Sequence, residues 1–173
     1  MSDAKVPPVE THPPSGPVTK PGAVQAAKQV KEKFGNAIED YKEQHGELTL
    51  YVKREKIVEV CRFLRDDPKL QFNLLSDLTG VDRGVEESPR FEVIYHLMSL
   101  PNRVRLRLKV RVDDEDCHVP TVSEVWLTAN WHERETFDLF GVRFDGHPDL
   151  RKILTPDDLE GHPLRKDFPL RGY

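Results

Sequence analysis

Three histidines beside acidic residues, His132, His147 and His162, are the first places in this 173-residue chain where residue type and spacing invite chemistry. His132-Glu133 begins like the H-E-x-x-H pattern, which sets two imidazoles on one helix face around a general base. The residue four after His132 is Thr136, so the second ligand is missing. Asp145, His147 and His162 offer another ligand set, but both histidines sit between a glycine and a proline, which fits backbone bends better than coordination. Glu133, Glu135 and Asp138, with Arg134, Arg165, Lys166 and Asp167, would suit proton transfer. Arg134 and Asp138 are i, i+4 on one helix, and the set reads more simply as an ion-pair network that fixes register at a polar interface.

Other sites are excluded by spacing. The chain has no G-x-G-x-x-G, no phosphate-loop Gly-Lys-Ser and no G-x-S-x-G elbow, so nucleotide or flavin binding has no visible apparatus. Cys61 and Cys117 are too few and too far apart for a zinc or iron-sulfur site, and reduced thiols are expected. The acidic run Asp113-Asp114-Glu115-Asp116-Cys117-His118 lacks the Gly and terminal Glu of a calcium loop and reads as a solvated turn.

The elements that must position these residues follow from pattern. Asn130 can cap a helix, with Glu133 reaching back as in a capping box, and Gly141 can end it in a left-handed conformation. The tail beyond is punctuated by Gly146, His147-Pro148, Thr155-Pro156, Gly161, His162-Pro163 and Phe168-Pro169. Its apolar residues are too irregular for an independent element, so they need a surface, either this chain's core or a partner. Upstream, Thr121 starts a predicted short helix with Val122, Val125, Trp126 and Ala129 on one face.

Alternation is clearest in Phe91, Val93, Tyr95 and Leu97, then Val104, Leu106, Leu108, Val110 and Val112. Pairing across Pro101-Asn102 sets Leu97 against Leu106, Tyr95 against Leu108, Val93 against Val110 and Glu92 against Arg111. The other face of the second strand carries Arg103, Arg105, Arg107, Lys109 and Arg111. Without interleaved exposed aromatics, and in a chain with 26 basic and 30 acidic residues, this ladder reads as a solvated or partner-facing surface, not a nucleic-acid platform. Nearer the start, Val24, Ala27, Val30 and Phe34 predict a helix stopped by Gly35. Ile38–Tyr41 and Leu48–Val52 predict a strand pair turning at His45-Gly46, and Ile57, Val60, Cys61 and Leu64 predict a helix ended by Asp67-Pro68.

The fold class is therefore α+β, an antiparallel or mixed sheet packed against helices with an extended C-terminal tail. Residues 1–21, holding six of the fourteen prolines, read as a disordered leader, 22–145 as the domain and 146–173 as a partner-wrapping tail. The leader has neither the apolar core of a signal peptide nor an Arg-rich presequence, and no run approaches the about eighteen apolar residues of a membrane span.

Glu133-Arg134-Glu135-Thr136-Phe137-Asp138-Leu139-Phe140-Gly141-Val142, with His147-Pro148-Asp149-Leu150-Arg151 and Gly161-His162-Pro163-Leu164-Arg165-Lys166-Asp167-Phe168-Pro169-Leu170, closely resembles the signature of a known family. This is the 30 kDa (C) subunit of NADH:quinone oxidoreductase, respiratory complex I. The resemblance continues more weakly back to Leu75–Asp82 and Arg90–Tyr95. It implies a peripheral-arm subunit without its own catalytic, cofactor or metal site, scaffolding the large hydrogenase-related (49 kDa, D) subunit near the quinone-reducing region. FMN and iron-sulfur clusters would lie elsewhere in a proton-translocating assembly on the cytoplasmic side of a bacterial inner membrane. Carried onto this chain, the implied partner interface is Glu133, Arg134, Glu135, Asp138, Phe140, His147, Pro148, Arg151, His162, Pro163, Arg165, Lys166, Asp167 and Phe168. Two alternatives stand beside it. One is the same subunit type in a complex with another electron donor, a ferredoxin-dependent quinone oxidoreductase or a membrane-bound hydrogenase. The other is a stand-alone enzyme with a metal in the tail.

Overall fold

A computed structural model describes residues 20–169. The leader expected over 1–21 lies outside the described residues, save for Lys20 and Pro21. Pro21 is the first residue of helix α1 (Pro21–Phe34), a position where its missing N–H has no helical partner to lose. The expected α1 face is turned by one residue. Ala23, Ala26 and Val30 are buried, while Val24 and Ala27 are half-buried. The small residues face inward because α1 lies close on the sheet: a Cβ on Gly22 would come within 2.6 Å of Val104 Cγ2.

Strands β1 (Ile38–Gln44) and β2 (Glu47–Val52) form the expected hairpin. His45 and Gly46 take φ values of 54° and 75°, the left-handed pair that matches strand twist in a two-residue turn. Helix α2 (Ile57–Asp66) buries Ile57, Val60, Cys61 and Leu64 completely, as its periodicity predicts. Strands β3 (Leu74–Asp82), β4 (Phe91–Ser99) and β5 (Val104–Val112) complete a sheet of order β1-β2-β5-β4-β3, mixed because β2 and β5 run parallel. All four expected β4–β5 pairings are present. The loop holds four residues, Leu100 to Arg103, and even length preserves the parity. Asn102 ties it down, its Nδ2 donating to the carbonyls of Lys69 and Leu70 and to Ser99 Oγ.

Three cations of the basic β5 ladder are paired within the sheet. Arg107 pairs with Glu47 and Lys109 with the buried Glu92. Arg111 lies 3.9 Å from Glu39 and stacks 4.2 Å from the Tyr51 ring. These three cations are thus ion-paired inside the sheet, where the sequence pattern alone predicts a solvated or partner-facing ladder.

Two expectations fail near the signature. Residues 121–128 form turns instead of a helix, although Val122, Val125, Trp126 and Ala129 are all buried. The backbone is diverted by side-chain acceptors: Val122 N–H donates to Glu133 Oε1 at 2.7 Å and Ser123 N–H to Thr121 Oγ1 at 3.1 Å. Helix α3 (Ala129–Phe140) then starts after Thr128, with no side-chain cap, so Asn130 is not the cap and Glu133 does not close a capping box. Its end is as predicted, Gly141 at φ 77° donating to Phe137 O. A short parallel pair, β6 (His118–Pro120) with β7 (Arg143–Asp145), follows from no alternation in the sequence.

Helix α3 lies on β3 at Gly80, where an added Cβ would stand 2.8 Å from the Phe140 ring and 3.1 Å from Thr136 Cγ2. Gly80→Ala is expected to lower unfolding stability by about 1–3 kcal/mol in urea titrations. Combining it with Phe140→Leu should recover part of the loss. An additive double variant would show that the helix does not rest on this glycine.

Candidate functional site

The last turn of α3 exposes four backbone carbonyls that the helix itself cannot satisfy. Each finds a partner. Phe137 O takes Gly141 N–H at 2.8 Å, Asp138 O lies 2.9 Å from His162 Nδ1, Leu139 O takes Leu164 N–H at 3.0 Å, and Phe140 O takes Arg165 Nε–H at 2.7 Å. Three of the four come from the tail. The Arg165 guanidinium also brings positive charge to the negative end of the helix.

Asp138, fully buried, organises the middle of the tail. Its Oδ2 accepts the backbone N–H groups of Ile153, Leu154 and Thr155 at 2.9, 2.7 and 3.0 Å, and its Oδ1 accepts the Thr155 hydroxyl. Burial alone would raise its pKa. The Thr155 hydroxyl and the three amides outweigh burial and hold the carboxyl below the usual range. The expected Arg134–Asp138 pair is not made, because Asp138 points into this nest. Arg134 instead donates through Nε to Arg151 O at 3.3 Å and stacks 4.8 Å from the Trp131 ring.

The far end of the tail is clamped by Arg90. This buried guanidinium meets Asp82 at 2.9 Å, Asp114 at 2.6 Å and Asp167 at 2.7 Å. Asp82 further accepts the backbone N–H groups of Gly84 and Lys166. Its burial opposes ionisation, but Arg90 and these amides prevail and leave the carboxyl at about 2. The acidic run at 113–118 is therefore not a merely solvated turn: Asp114 binds Arg90 and Arg165, and Asp116 pairs with Arg54 at 2.6 Å. Arg90 and Asp82 are legible only as part of the weak resemblance, since nothing in their spacing announces a clamp.

Glu133 is also fully buried. Its Oε1 accepts Val122 N–H, its Oε2 accepts the Thr121 hydroxyl, and His147 Nε2 stands 3.9 Å away. Burial pushes its pKa up to about 7 against those two hydrogen bonds.

The remaining expected interface residues divide by exposure. Phe140 is buried on Gly80, the His147 side chain is enclosed, and His162 and Arg165 serve the helix end. Pro163 is half-buried, and so is Phe168, which packs on Gly161. Glu135, Pro148, Arg151, Lys166 and Asp167 are exposed, although Lys166 Nζ reaches Arg83 O. Sequence reasoning missed Trp131, 61 % exposed beside the Arg134 guanidinium, and its neighbour Leu127 at 89 %. The signal was available in a Trp set on the polar side of an amphipathic stretch.

Asp145, His147 and His162 do not converge: Asp145 pairs with His118, while His147 and His162 bind the carbonyls of Asn130 and Asp138. Among the described residues no group of three or more His, Cys, Asp or Glu side chains is placed to hold a metal. Both thiols are free; burial raises Cys61 well above its ordinary value and Cys117 to about 11.

Residues 50–173 match the family described as "Respiratory-chain NADH dehydrogenase, 30 Kd subunit". The C-type subunit of NADH-quinone oxidoreductase from Geobacter sulfurreducens is 55% identical over 148 residues, 86% of this chain and 90% of the relative. One of the C-type subunits of Rhizobium etli is 56% identical over 144 residues, 83% of this chain and 76% of the relative. Among solved structures, the trypsin-resistant fragment of Nqo5 superposes with a TM-score of 0.60 at 34% identity, covering 72% of this chain and 99% of the fragment. A chain of the archaeal membrane-bound sulfane sulfur reductase gives a TM-score of 0.70 at 28% identity, covering 85% of each chain.

Two pH effects follow. Asp82, at about 2 against an ordinary 3.8, contributes about 2 kcal/mol of stability that is present above pH 4 and lost as pH falls toward 2. Glu133 has the opposite sign. Between 4.5 and about 7 the folded chain keeps a proton that the unfolded chain has released, so stability falls by about 3 kcal/mol as pH rises through that window. Urea unfolding at pH 5, 6, 7 and 8 is expected to show this decline in the wild type and a nearly level profile in Glu133→Gln.

Proposed function

This chain belongs to the family of the 30 kDa subunit of respiratory-chain NADH dehydrogenase, and from that premise we propose that it is a scaffold in the peripheral arm of an NADH:quinone oxidoreductase, docked on the large hydrogenase-related subunit. The observation that carries the docking role is how the signature divides. Its carboxylates Glu133 and Asp138 are spent on the chain's own turns and tail. What this region leaves exposed includes Leu127, Trp131, Arg151 and Leu154, with the largely buried Arg134 stacked against the Trp131 ring and bonded to Arg151 O. An exposed Trp braced by Arg, with aliphatic neighbours and charge at its margin, has the composition of an interface anchor, not of a solvated helix face.

The subunit would then bind no redox group and turn nothing over alone, while electron transfer from NADH to quinone and coupled proton movement belong to the assembly. Among the described residues no helix is long and apolar enough to cross a membrane. Attachment through partners, at the cytoplasmic side of a bacterial inner membrane, is the corresponding placement. The likeness to a chain of the sulfane sulfur reductase supports a second reading, the same subunit type serving a complex with another electron donor.

The test is affinity capture of the tagged full chain from detergent-solubilised membranes, with mass spectrometry of the co-purified chains and NADH:quinone turnover assayed on the same sample. The large hydrogenase-related subunit recovered with NADH oxidation is expected. The same partner without an NADH-input module would select the second reading, and a lone soluble chain would overturn both. Trp131→Ala with Arg151→Glu should cut partner recovery by about tenfold or more while leaving the thermal midpoint of the isolated chain unchanged within about 2 °C.

A further inference from the structure

Glu133 is buried in the fold's interior, and its surroundings are unusual for a carboxylate. From the 121–122 turn come two donors, the Thr121 hydroxyl and Val122 N–H. The titratable groups facing it are Tyr95 on β4, Cys61 on α2 and His147 at the start of the tail, the first two completely buried. Among the described residues the Tyr95 hydroxyl has no hydrogen-bond partner. His147 is the one group at ion-pair distance, 3.9 Å, among the described residues.

His147 is not free to supply a positive charge. Its Nδ1 accepts the backbone N–H of Asp149 at 3.0 Å, so that nitrogen carries no proton, and its Nε2 donates to Asn130 O at 3.1 Å. A ring used in this way is neutral. The ionised form of Glu133 is thus fully enclosed and, among the described residues, faces no full positive charge, which is costly. Relief comes from admitting water, which moves His147 away and breaks the turn over 147–149.

From this geometry we propose that Glu133 and His147 form a proton-operated latch, closed while Glu133 holds a proton and opened at the start of the tail, residues 146–151, when it gives the proton up. The middle and end of the tail, held by Asp138 and Arg90, stay in place. Burial raises Glu133 to about 7, which sets the transition near neutral pH. Because Arg151 O receives the Arg134 guanidinium, opening also loosens the cation stacked on Trp131. The latch is a property of this chain alone and stands whether or not the docking reading does.

Hydrogen exchange on the full chain between pH 5.5 and 8.5, corrected for the intrinsic pH dependence of exchange, tests it. The amides of Val122 and Asp149 should lose about tenfold or more in protection from pH 6 to pH 8 and, at pH 8, exchange well ahead of those of β4 and β5, which follow only the fall in global stability. Glu133→Gln should remain protected at both pH values. Thr121→Val, which removes a donor to the ionised form, should move the transition upward by about half a pH unit or more. This gives a readout even where the Gln variant folds poorly. Level protection in the wild type, or a transition unmoved in Thr121→Val, would overturn the latch.

Discussion

A helix that ends in the interior must have its last carbonyls answered, and the signature region is built around that demand. Helix α3 ends against β3, where Gly80 leaves room for Phe140, so water cannot freely serve the final turn. Gly141 answers one carbonyl by reversing the chain, and the other three are answered by residues more than twenty positions later, His162, Leu164 and Arg165. The tail is held by hydrogen bonds in place of a continuous apolar face. This explains how a segment full of Gly and Pro, without period, takes a defined path over the helix.

The same constraint links the two ends of the domain. Once Arg165 reaches Phe140 O, Lys166 and Asp167 are carried to the ends of β3 and β4, where Arg90 collects Asp82, Asp114 and Asp167. A guanidinium is suited to this place because its planar fork binds several carboxylates at once, and burial of the group is tolerable only because every side of it is answered. Sheet edge, acidic loop and tail therefore share one charge, and removing any one partner leaves the others imperfectly neutralised.

Where periodicity and burial coincide, pattern is enough. The apolar row of α2, the β4–β5 register and the end of α3 at Gly141 are all local or nearest-neighbour features, and each is readable from the residues. What escapes such reading is set by contacts far apart in the chain. The start of α3 departs from the capping pattern because Glu133, which has the spacing of a capping residue, is taken by Thr121 and Val122. The 121–128 helix fails for the same reason, and the Arg134–Asp138 pair is displaced by the nest at 153–155. The rotation of α1 reflects how closely Gly22 meets Val104, which no one-dimensional pattern encodes. Strand order, including the parallel β2–β5 contact, depends on the crossover, on which alternation is silent.

Glu133 and Asp138 show why the charges of such a signature cannot be assigned a role by type. They stand five positions apart on one helix, both without exposed surface, and their acidities move in opposite directions. The difference is donor count. Asp138 receives three amides and a hydroxyl, enough to outweigh the cost of burial, whereas Glu133 receives one amide and one hydroxyl beside a histidine kept neutral by its own backbone bonds. One carboxylate therefore acts as a fixed anion that shapes the tail, and the other is left near the point where its proton can leave. Burial raises the pKa of both, prevailing at Glu133 and outweighed at Asp138, and the local supply of N–H and O–H groups helps separate a structural charge from a titrating one.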